Sequence, residues 1–78
     1  NSIINTKSSI DHDSIIGRNC HIAPGSTVCG NCFIGDNVYV GAGAVIINNI
    51  KIGSNCLIAA GVTVHKDLPS NTIFYGNK

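Results

Sequence analysis

Residues 16–35, IGRNCHIAPGSTVCGNCFIG, step through three copies of one six-residue unit and open a fourth. Ile16, Ile22 and Val28 begin the three units, and Ile34 begins the next. Three residues after each start come Asn19, Gly25 and Asn31; four residues after come Cys20, Ser26 and Cys32. Followed outward, the start position is Ile or Val without a break: Ile4, Ile10, Ile16, Ile22, Val28, Ile34, Val40, Ile46, Ile52, Ile58 and Val64. Ten of the eleven residues three places on, from Asp13 to Asp67 with Lys7 the exception, are Asn, Asp or Gly. These are the residue types that tolerate positive φ.

The pattern carries its own geometry. A β-branched residue suits a strand whose side chain points inward, a small one fits a tight corner, and the Asn, Asp or Gly between them lets the chain turn. Helix is excluded, because a period of six does not match 3.6 and glycine recurs. Three such strand-and-turn units close a triangle of 18 residues, so the sequence predicts an all-β parallel β-helix of about four coils. Stacking at 18-residue spacing predicts three inner ladders: Ile4, Ile22, Val40 and Ile58; Ile10, Val28, Ile46 and Val64; and Ile16, Ile34 and Ile52.

The period stops at Leu68, where Pro69-Ser70-Asn71 marks a turn. Residues 1–68 are therefore expected to form the helix and 69–78 a cap or tail. No cap is visible before Ile4, which leaves the first coil's edge open. The expectation is that a preceding segment has been removed or that a partner covers the edge.

Composition narrows the function. Only 12% of the 78 residues are charged and the formal charge is +1, which gives no footprint for nucleic acid or anionic lipid. No apolar run approaches the ~20 residues of a membrane helix, so neither membrane insertion nor nucleic acid binding is expected. Cys29-Gly30-Asn31-Cys32 is a CxxC string that could signal zinc or redox chemistry. The repeat offers a plainer account, since Cys20, Cys32 and Cys56 all fall at the small inward position. They read as core thiols of a reducing, cytoplasmic compartment. No residue spaced by 18 from His12, His21 or His65 is a second histidine, so no metal site is expected.

His12 has a chemical reading. Gly30 and Asn48 follow it at the same corner on later coils and leave room above it. Asp13 could accept a hydrogen bond from one imidazole N–H and fix the tautomer, leaving the other nitrogen to act as a base. The bland alternative, a solvated corner histidine beside a turn aspartate, stands equally well on the residues alone.

From Ile4 to Leu68 the chain resembles the hexapeptide-repeat acyltransferases, whose fold is a left-handed parallel β-helix. Asp11-His12-Asp13 followed by His21-Ile22-Ala23-Pro24-Gly25 is similar to the sugar acyltransferases grouped with sialic acid O-acetyltransferases and UDP-4-amino-sugar N-acetyltransferases. The resemblance implies that His12 is the general base and Asp13 its support. It implies that His21 contacts the thioester region of acetyl-CoA, and that Ala42 and Ala60 line the pantetheine channel with main-chain groups. Members usually carry an N-terminal sugar-binding domain and often end in a GNPAK-like string; the expectation is that these 78 residues lack that domain and that the end, Tyr75-Gly76-Asn77-Lys78, is trimmed or altered.

The expected function is acetyl transfer from acetyl-CoA to an amino or hydroxyl group of a sugar or nucleotide sugar. His12 and His21 are nine residues apart, half a coil, so a shared site would lie between subunits of a homotrimer. The rivals are a serine or other small-molecule O-acetyltransferase of the same fold, and a truncated or structural β-helix without turnover.

Overall fold

The computed structural model describes residues 3–4, 9–11 and 13–76. Its strands are two residues long, one to each side of a triangle: β1 (Ile3–Ile4), β2 (Ser9–Ile10), β3 (Ile15–Ile16), β4 (His21–Ile22), β5 (Thr27–Val28), β6 (Phe33–Ile34), β7 (Tyr39–Val40), β8 (Val45–Ile46), β9 (Lys51–Ile52), β10 (Leu57–Ile58), β11 (Thr63–Val64) and β12 (Ile73–Phe74). They stack in parallel as three sheets: sheet A in the order β1-β4-β7-β10-β12, sheet B in the order β2-β5-β8-β11, and sheet C in the order β3-β6-β9. This is a parallel β-helix, and the pairing carries the 18-residue register: Ile22 on Val40, Val28 on Ile46, Ile34 on Ile52.

The second residue of each strand from β4 onward points into the triangle and is buried, whereas the first is exposed or half-buried. Ile22, Ile34, Val40, Ile46, Ile52, Ile58 and Val64 reach zero exposure, and a side chain so buried contributes roughly 1.5–3 kcal/mol. The turns use the predicted residues. Asn19, Asn31, Asn37, Asn49 and Asn55 have φ between 55° and 65°, and Gly25, Gly43 and Gly61 between 72° and 75°.

The last coil departs from the sequence expectation. Four residues after Val64, Leu68 falls at the corner position of the hexad; instead it bridges Ile52 and continues the inward ladder of sheet C. The step from Val64 to Leu68 is four residues instead of six, so this coil is two residues shorter. The Asp67 carboxylate makes good part of the loss by accepting a hydrogen bond from the Lys51 amide at 2.9 Å. From Leu68 the period of six resumes: Asn71 turns at φ 63° and β12 stacks on β10 with Ile58 opposite Phe74. A segment that reads as a tail thus adds a fifth strand to sheet A. Among the described residues no helix is long and apolar enough to cross a membrane.

Candidate functional site

A β-helix has three edges, where the corners of successive coils stack. The C–A edge joins sheets C and A through residues 17–20, 35–38, 53–56 and 69–72. Its outward backbone amides are capped by the coil above: Arg18 donates to Asp36 Oδ1 (2.8 Å), Asp36 to Ser54 Oγ (3.0 Å) and Ser54 to Ser70 Oγ (3.0 Å). Asn37 Nδ2 also donates to Asn55 Oδ1 at 3.2 Å. This edge consumes its own polar groups.

The A–B edge, residues 23–26, 41–44 and 59–62, is built otherwise. Its outermost residues are Pro24-Gly25, Ala42-Gly43 and Ala60-Gly61, all exposed. A β-carbon at Gly43 or Gly61 would meet nothing within 4 Å. The Ala42 carbonyl accepts from the Gly61 amide at 2.9 Å, which stacks the two turns directly. The Ala42 and Ala60 amides donate to no group among the described residues. Two free donors therefore stand on adjacent coils, ~4.8 Å apart by the usual strand spacing, at outermost turns (Pro24-Gly25, Ala42-Gly43, Ala60-Gly61) that carry no side chain larger than a proline ring, with the exposed Tyr75 leaving β12 on the coil above. Beneath them the packing is tight, for a β-carbon at Gly41 would lie 2.5 Å from the Ala60 nitrogen.

His21 lies beside this edge, on the outer face of sheet A. Its ring stacks on Tyr39 of the next coil, centroids 5.1 Å apart and planes within 19°. The sequence reading missed Tyr39, although the 18-residue spacing from His21 was available to find it.

His12 lies outside the described residues. Asp13 is exposed on the B–C edge, the corner opposite sheet A. One chain therefore brings Ala42, Ala60 and His21 to one strip and leaves Asp13 on another. At the coil above, the Gly30 amide donates to no described group. Asp11 Oδ2 comes near enough that a β-carbon at Gly30 would be 3.3 Å from it. The Asn48 amide on this edge is likewise unused, but the exposed side chains of Asn48 and Lys66 stand there, so the B–C edge is less bare than the A–B edge.

Cys20, Cys32 and Cys56 are buried, and each thiol donates to a carbonyl of the next coil: Gly35 at 3.1 Å, Ile47 at 3.0 Å and Pro69 at 3.2 Å respectively. Cys29 is only half-buried. A recess of the surface lies at the shortened end of sheet C, between Phe33, Lys51, Asp67 and Pro69, away from the strip that holds His21.

Residues 31–66 match the bacterial transferase hexapeptide family, described by six repeats. The match covers 36 of the 78 residues of this chain. Its fold is the left-handed parallel β-helix of those repeats. Similar solved structures include serine acetyltransferase isoform 3 of Entamoeba histolytica, with TM-score 0.86 and 28% identity over 92% of this hexapeptide chain and 28% of that one. The serine acetyltransferase of Neisseria gonorrhoeae gives 0.79 and 32% identity, over 97% of this chain and 37% of that one. A perosamine N-acetyltransferase variant of Caulobacter crescentus, solved with CoA and GDP-perosamine, gives 0.52 and 16% over 92% and 51%. That last likeness is one of fold alone. The hexapeptide chain thus spans about a third of the serine acetyltransferases. No curated protein sequence matches it.

Proposed function

We propose that this hexapeptide-repeat chain is the acyltransferase domain of an acetyl-CoA-dependent enzyme that acetylates an amino or hydroxyl group of a sugar or nucleotide sugar. The observation that carries the proposal is the bare A–B edge with its two unused amides. A pantetheine arm is a linear chain with amide carbonyls, and a strip of stacked free N–H donors without side chains is what such a chain can lie against. Ala42 and Ala60 would hold it along the helix axis, and His21, one coil below Tyr39, would stand at its thioester end.

In this reading His12 is the general base and Asp13 orients it. The acceptor nitrogen or oxygen attacks the thioester carbonyl and gives its proton to His12. The Gly30 amide, one coil above His12 in the register, stabilises the oxyanion. The C–S bond then breaks, the departing sulfur takes the proton from His12, and coenzyme A leaves as the free thiol. Because Asp13 and His21 are on different strips of one chain, the site is completed between subunits, and a homotrimer supplies three of them by closed symmetry. Light scattering on the protein at micromolar concentration checks that assembly; a stable monomer would contradict it.

A second reading, O-acetylation of serine or a similar small hydroxyl compound, draws on the 28–32% identity to serine acetyltransferases. Release of coenzyme A thiol, followed with amino sugars, nucleotide sugars and serine as acceptors, separates the two. The proposal expects turnover with a sugar acceptor, lowered roughly 10²–10⁴-fold by His12→Ala and less by Asp13→Asn. Turnover with serine alone would favour the second reading, and His12→Ala at full activity would refute the assignment of the base.

A further inference from the structure

Among the residues that the functional reading leaves without a role, Tyr39 stands out by its contact. It is a large aromatic side chain in a chain with few of them, 44% exposed on the outer face of sheet A. Nothing in the fold requires an aromatic there, for the next residue up the same column is Leu57, also on the surface at 41% exposure. Its contact is with His21: the two rings are stacked, 5.1 Å between centroids, and their strands are paired in register.

A histidine on the outside of a flat two-residue strand is normally free to turn about its side-chain torsions. A second ring stacked on one face restricts that freedom, and a stack covers a face of the ring and not its edge, which carries both nitrogens. The backbones of both residues are fixed as well, His21 donating to Val38 and Tyr39 to Cys56, each at 2.9 Å. The stack therefore holds an imidazole at a set orientation beside the free amides of the A–B edge.

We infer that Tyr39 is a positioning residue: through the stack it holds His21 for contact with the thioester end of an acyl-thioester substrate bound along the A–B edge. The inference rests on the cofactor reading of that edge. It assigns Tyr39 no contact with the reacting atoms, so its whole effect on the substrate must pass through His21.

The test is a double-mutant cycle on acetyl-CoA affinity, measured by calorimetry on the full chain with Tyr39→Leu, Tyr39→Phe, His21→Ala and the His21→Ala/Tyr39→Leu pair. Leucine is chosen because the column already accepts it at Leu57, and thermal melts establish that each variant is folded. Aromatic pairing of this kind corresponds to roughly a 2–12-fold change in an equilibrium, so Tyr39→Leu should weaken binding by that factor and Tyr39→Phe should restore it. In the His21→Ala background Tyr39→Leu should have no further effect. An equal loss from Tyr39→Leu in both backgrounds, or no loss in either, overturns the inference while leaving the cofactor edge in place. Unchanged affinity in His21→Ala removes the role of His21 and the inference with it. No binding of acetyl-CoA by the unmutated protein removes the proposed function itself, and the inference then falls as its consequence.

Discussion

The two edges that flank sheet A are made from the same hexad and treat their backbone in opposite ways. At the C–A edge the second residue beyond each inward residue is Arg18, Asp36, Ser54 or Ser70, and the last three turn a side-chain oxygen onto the amide of the coil below. At the A–B edge the same place holds Pro24, Ala42 and Ala60, which have no side-chain acceptor to offer. One edge is closed on itself, and the other presents donors to solvent. A repeat built only for stability would cap both, because a capped amide is worth about 0.5–1.5 kcal/mol. The uncapped edge is therefore where the fold forgoes stability, which is what the proposed binding surface requires.

The largest perturbation removes what both edges share. Ile34 is fully buried between coils, and Ile34→Ala should cost about 2–5 kcal/mol in chemical denaturation; a loss below 1 kcal/mol would break the inward register on which both edges depend. Next comes the turn at the capped edge. Asn37 sits at φ 58° and donates to Asn55, so Asn37→Val should cost about 1–2 kcal/mol from the left-handed backbone alone, while Asn37→Gly should be the milder change. Equal melting points for the two would show that backbone strain at this turn is not what selects Asn. A smaller effect is expected from Ser54→Ala, which removes the cap on the Asp36 amide and should cost about 0.5–1.5 kcal/mol without altering acetyl-CoA affinity. A loss of affinity there would move the binding surface to the wrong edge. The mildest probe changes no residue: amide hydrogen exchange should be slower at Arg18, Asp36 and Ser54 than at Ala42 and Ala60.

Most of the fold was legible because a six-residue period constrains each side chain twice, once by direction and once by its neighbour 18 residues away. The inward ladders and the left-handed turns at Asn19, Gly25, Asn31, Asn37, Gly43, Asn49, Asn55 and Gly61 follow from that. The same periodicity misled at Leu68. A step shortened to four residues lets Leu68 pass for a corner residue, and the bridge of Leu68 to Ile52 together with the pairing of Phe74 with Ile58 discloses that the coil continues. At the site, the stacking of Ala42 under Ala60 was readable from spacing. The unused amides were not, since whether an N–H is free depends on the acceptor above it. Tyr39 was missed for a related reason: an outward residue carries no pattern signal until its partner across the ladder is named.

The central claim is that the A–B edge, and not the C–A edge, receives the acyl-thioester substrate. Backbone amide chemical shifts recorded while acetyl-CoA is titrated into the unmutated protein test it directly. The account predicts that the Ala42 and Ala60 amide protons move downfield with a common saturation curve while those of Arg18, Asp36 and Ser54 stay in place. Movement at Arg18, Asp36 and Ser54 with Ala42 and Ala60 unchanged would contradict it.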